Sequence, residues 1–257
     1  MNTYSFDVNA VAGLIKRAGR AVMDVYAQDF AVYEKDDASP VTEADMGAEK
    51  IIFEGLQTLT PDIPVVGEEH VAAGETGDLT RECFWLVDPV DGTADFVKKN
   101  GEFTVNIALI QGDSPVFGAV FAPVSGTLFY TTSPTSAVME KDGAVTPLKT
   151  RAVPAVGYSV LNSRTHCDET KVAQMLAGLK IADRKPCGSS LKFCLIATGT
   201  ADVYPCSHRT KEWDTAAAHA VLRAAGGEVY DAENGAVLTY RKEGLKNPLI
   251  IAFGQKR

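Results

Sequence analysis

Trp85-Leu86-Val87-Asp88-Pro89-Val90-Asp91-Gly92-Thr93 is the stretch on which both the fold and the chemistry turn. A compact apolar run of strand character, Phe84 to Val87, stops at two carboxylates set three residues apart around a proline. Pro89 fixes its own φ and confines Asp88 to extended backbone, so the two carboxylates can converge on one point beyond the strand end. Between them the Val90 carbonyl is available as a further oxygen ligand. Gly92-Thr93 then leads into a short helical turn at Ala94 to Lys98, where backbone N–H groups would cradle a phosphate oxygen. Hard cations such as Mg²⁺ take carboxylates, carbonyls and water, and a phosphate ester is a natural co-ligand for them. Taken alone, the same pattern also describes a turn with two solvated acids.

Upstream, Val8, Val11, Ala12, Ile15, Ala18, Gly19, Val22 and Val25 recur at helical spacing, which predicts an amphipathic helix from Val8 to Tyr26. Asp36 to Pro40 is a polar break. Thr42 reads as an N-cap with Asp45 as its acidic partner, opening a second helix to Leu59. A short strand from Ile63 to Val66 leads into Gly67-Glu68-Glu69, and a polar loop runs from Ala72 to Arg81. Downstream, Phe103 to Ile110, Val116 to Ala122 and Thr127 to Thr132 read as an antiparallel meander joined at Gly112-Asp113 and Ser125-Gly126.

Beyond residue 150 the pattern changes. Strands at Ala155 to Leu161, Ala201 to Tyr204, Glu228 to Tyr230 and Leu249 to Phe253 alternate with helices at Asp168 to Leu179, Ser189 to Thr198 and Thr215 to Ala225. That alternation predicts an α/β layer, so the expected organisation is an α+β part over residues 1–150 and an α/β part over 151–257. Asp214 stands at the start of the Ala-rich helix, where the helix dipole favours a carboxylate. Each of these acids also has an ordinary reading: Glu68-Glu69 as a surface pair, Asp214 as an N-cap, Asp45 as a capping acid.

The chain of 257 residues is 46% hydrophobic and 23% charged, with a formal net charge of −8. That composition suits a globular core and argues against a nucleic-acid polymer as partner, which would need a broad basic face. It leaves room for a small phosphorylated substrate, since bound cations reverse the local field. Five scattered cysteines without a CxxC pair fit thiols in a reducing compartment. The opening residues read as a surface helix rather than a signal peptide, and no apolar run approaches the ~20 residues of a membrane span. A cytoplasmic location follows as the expectation, with peripheral association at the inner membrane left open.

Three blocks carry a resemblance: Gly67-Glu68-Glu69, the Trp85 to Thr93 stretch, and Trp213-Asp214-Thr215-Ala216 with Gly226-Gly227 downstream. In this order and at these separations the sequence resembles the inositol monophosphatase superfamily of lithium-sensitive, magnesium-dependent phosphatases. Within it, the sequence is most similar to the CysQ-type 3′(2′),5′-bisphosphate nucleotidases. That narrower likeness rests on Ser39 to Asp45, Lys99 to Ile110, Gly188 to Leu195 and Trp213 to Val221, with Ser163-Arg164-Thr165-His166 as a further trace. Ala94 and Gly67 depart from the nucleotidase pattern, which often has Lys and Ser there. Ser207 stands where inositol phosphatases carry an acid that contacts inositol hydroxyls.

The resemblance implies a five-layer αβαβα sandwich with an antiparallel sheet in the first half and an α/β layer in the second. It implies two or three Mg²⁺ ions held by Glu68, Asp88, the Val90 carbonyl, Asp91 and Asp214. Asp45, Glu68 and Thr93 fall on catalytic positions, Asp45 and Thr93 being the pair that helps activate the attacking water. Substrate would meet Glu68, Val90, Asp91, Gly92, Thr93 and Asp214. For a second phosphate, Arg164, Lys192, Arg209, Ser189 and Ser190 are candidates, and Ser189 and Lys192 are favoured because they lie in the nucleotidase-like block. The implied reaction is hydrolysis of the 3′-phosphate of adenosine 3′,5′-bisphosphate. The alternative is a phosphatase of the same fold acting on inositol phosphate or another small sugar or alcohol phosphate. A homodimer is the assembly the resemblance suggests.

Overall fold

The computed structural model describes residues 6–34, 40–164 and 167–256. Most of the polar break expected from Asp36 to Pro40, and Thr165 and His166, lie outside them.

α1 (Val8–Tyr26) begins where expected, with the Asp7 carboxylate accepting the Asn9 N–H at 2.9 Å as N-cap. β1 (Val32–Glu34) and β2 (Pro40–Thr42) pair antiparallel and deliver the chain to α2 (Glu43–Leu59). α2 opens on a reciprocal box: the Thr42 hydroxyl accepts the Ala44 N–H at 3.2 Å, and Asp45 accepts the Thr42 N–H at 2.8 Å.

β3 (Val65–Gly67) runs straight into α3 (Glu68–Ala72), a short helix within what reads in the sequence as the end of a strand and a loop. β4 (Cys83–Asp91) does not stop at Asp88-Pro89 as the apolar run suggests. Asp88 pairs with Asn106 and Asp91 with Thr104, so one extra residue bulges out of β4 between them. The bulge is what lets a proline, which has no N–H for the ladder, sit inside a paired strand.

α4 (Thr93–Val97) follows Gly92, whose φ of 92° is left-handed. β5 (Thr104–Gln111), β6 (Ser114–Ala122), β7 (Thr127–Ser133), β8 (Ser136–Lys141) and β9 (Ala144–Pro147) complete a seven-stranded sheet in the order β3 to β9. Every neighbouring pair is antiparallel except β3 with β4. β8 and β9 are absent from the sequence reading because β8 is mostly half-buried, β9 is solvent-exposed, and neither shows an apolar alternation.

The chain leaves this sheet at Pro147 and enters a second at β10 (Tyr158–Ser163). α5 (Glu169–Met175), β11 (Ile181–Cys187), α6 (Leu191–Ala197), β12 (Val203–Cys206), α7 (Trp213–Ala224), β13 (Glu228–Asp231) and β14 (Ile250–Phe253) follow. The sheet order is β11-β10-β12-β14-β13. β11 is an exposed edge strand, again without an apolar signature.

The period-2 alternation of each sheet sorts the side chains into three cores. Trp85, Val87, Ile107 and Phe121 pack under α1 and α2. Phe84, Leu86, Ala108 and Val120, on the opposite face, share one core with α6, α7 and the inner face of the second sheet. Val160, Val203 and Phe253 on its outer face cover α5 through Val172 and Leu176. The result is α1 and α2, a sheet, α6 and α7, a sheet, then α5: the αβαβα order. No helix among the described residues is long and apolar enough to cross a membrane.

Candidate active site

A cleft of about 270 Å³ opens where the bulged end of β4, the start of α3, the turn before α6 and the start of α7 meet. Glu68, Asp91, Gly92, Thr93, Ser189, Lys192 and Asp214 line it. These come from points up to 146 positions apart in the chain, Glu68 to Asp214. Asp45, Asp88 and Val90 are buried and lie behind this wall rather than on it.

Each acid is held by its own local structure. Asp88 Oδ1 accepts the Val90 N–H at 3.0 Å, a turn that closes the bulge on itself. Asp91 Oδ2 accepts the Ser190 N–H across the gap between the sheets. Asp214 Oδ2 accepts the Lys211 N–H at 2.9 Å. Asp45 Oδ2 takes both the N–H and the O–H of Thr42 at 2.8 Å. This leaves Asp45 Oδ1 toward Thr93, whose hydroxyl lies 3.4 Å from it and 3.0 Å from the Val90 carbonyl.

The charges crowd one another. Burial pushes the Asp88 carboxyl well above the usual range, and Glu68, Asp91, Asp214 and Asp45 push the same way. Asp214 is raised well above it too, by burial and then by Asp91 and Glu68. Asp91 rises to about 6 through burial, although the Lys192 ammonium and the Ser190 N–H pull it down. Among the described residues, no three acidic, His or Cys side chains already form a closed metal cage. The acids instead keep oxygens on backbone N–H groups while still feeling each other's charge. An all-oxygen donor set under mutual repulsion is what a hard divalent cation would neutralise, so the residues fit Mg²⁺.

The second-half wall is set by one turn. Ser189 adopts a left-handed φ of 50°, and this starts α6 at Leu191 rather than at Ser189. The buried Ser190 hydroxyl bonds Asn106 Oδ1 at 2.7 Å and Thr104 Oγ1 at 2.8 Å, fixing the turn to β5. Glu102 accepts the Gly188 N–H at 2.7 Å and grips Arg164 at 2.6 and 2.8 Å. Lys192 is buried, donates to the Ser189 carbonyl at 2.6 Å and lies over the Tyr204 ring at 4.8 Å.

Of the cationic candidates, only Lys192 reaches the cleft. Arg164 is spent on Glu102, and Arg209 is an exposed residue near Glu233 at 3.9 Å; neither lines the cleft. Ser207 is buried, and its hydroxyl accepts the Asp168 N–H at 2.9 Å, which ties it to the start of α5. Tyr204, Cys206, His208 and Thr210 line the cleft without having been singled out in the sequence. Their segment carries no periodicity or motif; only strand alternation could have placed Tyr204 and Cys206 on an inner face. Cys206 is no nucleophile in waiting, since burial raises its thiol pKa.

A model of the inositol monophosphatase family matches residues 5–252. The 3′(2′),5′-bisphosphate nucleotidase CysQ of Salmonella typhimurium is 45% identical over 242 residues, covering 93% of this chain and 96% of that protein. CysQ of Escherichia coli (strain K12) is 43% identical over 245 residues, covering 94% and 97% respectively. Among solved structures, CysQ from Bacteroides thetaiotaomicron superposes with a TM-score of 0.80 at 34% identity, over 98% of this chain and 99% of that one. An inositol monophosphatase from Thermotoga maritima shares the fold, with a TM-score of 0.77 at 20% identity over 96% and 91% of the two chains.

Proposed function

The chain belongs to the inositol monophosphatase family, and on that premise we infer that it is a 3′(2′),5′-bisphosphate nucleotidase: it hydrolyses the 3′-phosphate of adenosine 3′,5′-bisphosphate, releasing AMP and phosphate. The observation that carries the residue-level reading is the meeting of Glu68, Asp91, Thr93 and Asp214 with Ser189 and Lys192 around one cleft.

Glu68, Asp88, the Val90 carbonyl, Asp91 and Asp214 would hold two or three Mg²⁺ ions. When bound, Mg²⁺ supplies positive charge to the phosphoryl oxygens and acidifies a nearby water. The protein's own part is positional. Thr93 Oγ1 and Asp45 Oδ1 form the relay that takes the proton of the attacking water, with Asp45 held in place by Thr42. The N–H groups of Gly92 and Thr93 would receive charge that builds on the phosphoryl oxygens. Attack in line with the departing 3′ oxygen needs no covalent enzyme intermediate.

The substrate brings a second phosphate. Lys192 and His208 are the side chains able to carry positive charge among those lining the cleft, and Ser189 stands beside Lys192. We assign Lys192 and Ser189 to the remote phosphate, with His208 next to it. The buried Ser207 offers nothing to inositol hydroxyls, which favours the nucleotide over inositol phosphate.

The test is phosphate release from adenosine 3′,5′-bisphosphate and from inositol 1-phosphate, side by side, with Mg²⁺ and with EDTA. Mg²⁺-dependent release from the nucleotide, and little from inositol phosphate, is expected. The reverse preference would retain the acid cluster but overturn the assignment of the second wall.

A further inference from the structure

Glu49 carries a carboxylate that is 1% exposed, yet it faces neither the cleft nor any Lys or Arg with which it forms an ion pair among the described residues. Burying an acid so completely is costly unless hydrogen bonds compensate. Here the donors come from another element. Oε2 accepts the Glu69 N–H at 3.0 Å, and Oε1 accepts the His70 N–H at 2.9 Å and meets His70 Nδ1 at 2.5 Å.

Those two N–H groups belong to the first turn of α3, where an N-cap side chain would normally receive them. The α3 N-cap is Gly67, which has no side chain to do so. Gly67 is needed for another reason: a Cβ there would stand 2.5 Å from the Glu49 carboxyl carbon and Oε2. A second link runs one turn further along α2, where the Phe53 ring stacks on the His70 ring at 3.8 Å and 5°. α3 is therefore gripped by α2 at Glu49 and Phe53.

The residue held between Gly67 and Glu69 is Glu68. On α2 itself, Asp45 and Glu49 are one turn apart on the same buried face. One helix thus presents Asp45 to Thr93 and, through Glu49, sets the start of the helix that carries Glu68. We propose that Glu49 is a positioning residue: it caps α3 from outside and fixes Glu68 in register with Asp45, so that metal affinity depends on a residue that touches no ligand. The proposal rests on the reading of Glu68 as a metal ligand.

The experiment is Mg²⁺ titration calorimetry on the full chain, with melting temperature and steady-state kinetics measured on the same samples. Glu49→Gln keeps the shape and one acceptor but loses the second. It should weaken Mg²⁺ binding by about 10- to 100-fold, the usual cost of removing an outer partner of a metal ligand. The Mg²⁺ needed for half-maximal rate should move by the same factor, with kcat recovering at saturating Mg²⁺. A lower melting temperature with unchanged Mg²⁺ affinity would show Glu49 to be merely structural and overturn the proposal. If Glu49→Gln does not fold, His70→Ala decides. It removes the 2.5 Å contact and the ring stack but leaves both backbone bonds, and Mg²⁺ binding should still weaken about 3-fold or more. Unchanged affinity there also overturns the proposal. Glu68→Gln separates the two readings. If it weakens Mg²⁺ binding and Glu49→Gln does not, only the positioning role fails. If Glu68→Gln has no effect, the ligand reading fails and the proposal falls with it.

Discussion

Replacing Gly188 by alanine adds one methyl group at the point where the two sheets are clasped. The φ of Gly188 is not among the left-handed ones, so the constraint is space. The new Cβ would lie 2.6 Å from Asp95 Oδ2, 2.8 Å from the Glu102 carbonyl oxygen and 2.9 Å from Glu102 Cβ. Ordinary contact begins at 3.4 Å, so the neighbours or the turn must give by about 0.5 to 0.8 Å. Glu102 is poorly placed to give, because its carboxylate holds the Gly188 N–H and Arg164 together. Asp95 is buried and takes Asn100 Nδ2 at 2.5 Å. The displacement therefore passes into the turn that carries Ser189, the Ser190 N–H bonded to Asp91, and Lys192.

Overpacking of this kind costs about 1–3 kcal/mol of stability. A shift approaching 1 Å at a reacting centre can cost up to about 100-fold in rate. For Gly188→Ala we expect a loss of about 1–3 kcal/mol in urea unfolding and a fall of about 10- to 100-fold in kcat/KM for adenosine 3′,5′-bisphosphate. Gly13→Ala is the matched control. Nothing lies within 4 Å of its Cβ position in α1, so the same methyl group should stabilise by about 0.5–1 kcal/mol and leave kinetics alone. Wild-type stability and kinetics in Gly188→Ala would refute the reasoning, because the clasp would then be too loose to position anything.

Asp45→Asn keeps an acceptor for the Thr42 N–H but removes the base, and kcat should fall about 10²- to 10⁴-fold with KM little changed; a large rise in KM instead would move Asp45 from the proton relay to substrate binding. Lys192→Ala should raise KM for the bisphosphate more than it lowers kcat, and equal losses in both would contradict the remote-phosphate assignment. Burial holds buried His219 near 4, below its usual 6.5, and its ring lies 2.6 Å from the Glu228 carboxylate. Between those two pH values the unfolded chain binds a proton that the folded one refuses. The contribution of this residue, roughly 3 kcal/mol, is therefore complete above pH 6.5 and lost as pH falls toward 4. Asp91, raised to about 6, acts in the opposite sense in metal-free protein and gains stability as pH falls toward 3.8. The measurement is accordingly the difference between wild-type and His219→Gln urea midpoints in EDTA across pH 4–7, and a flat difference would remove His219 as the cause.

The features legible in the sequence were those whose physics is local. The helical period placed α1 from Val8 to Tyr26, and the Thr42–Asp45 pairing announced the start of α2, because a capping box spans only four residues. The Asp88–Asp91 stretch around Pro89 and the two outlying acid blocks carried the resemblance to the family, and that resemblance, not the spacing, implied one acid cluster. Local rules could not see that β4 continues through the proline, since the bulge is fixed by pairing with Asn106 and Thr104 on β5. Nor could they see β8 or the edge strands β9 and β11, whose half-buried or exposed residues leave no apolar alternation.

What tertiary structure alone decided was the use of each side chain. Arg164, Arg209 and Lys192 are equal cations in a sequence, but one is consumed by Glu102, one lies outside the cleft near Glu233, and one is buried beside Asp91. Glu49 looks like any polar residue of a helix, yet its partners are two N–H groups in the first turn of another helix, 20 and 21 positions away. Hydrogen bonds and charge pairs act over a few ångströms in space, whatever the distance along the chain. The sequence therefore supplied the acids, in motifs that resemble a family's, and packing determined which neighbours hold them and which cation they face.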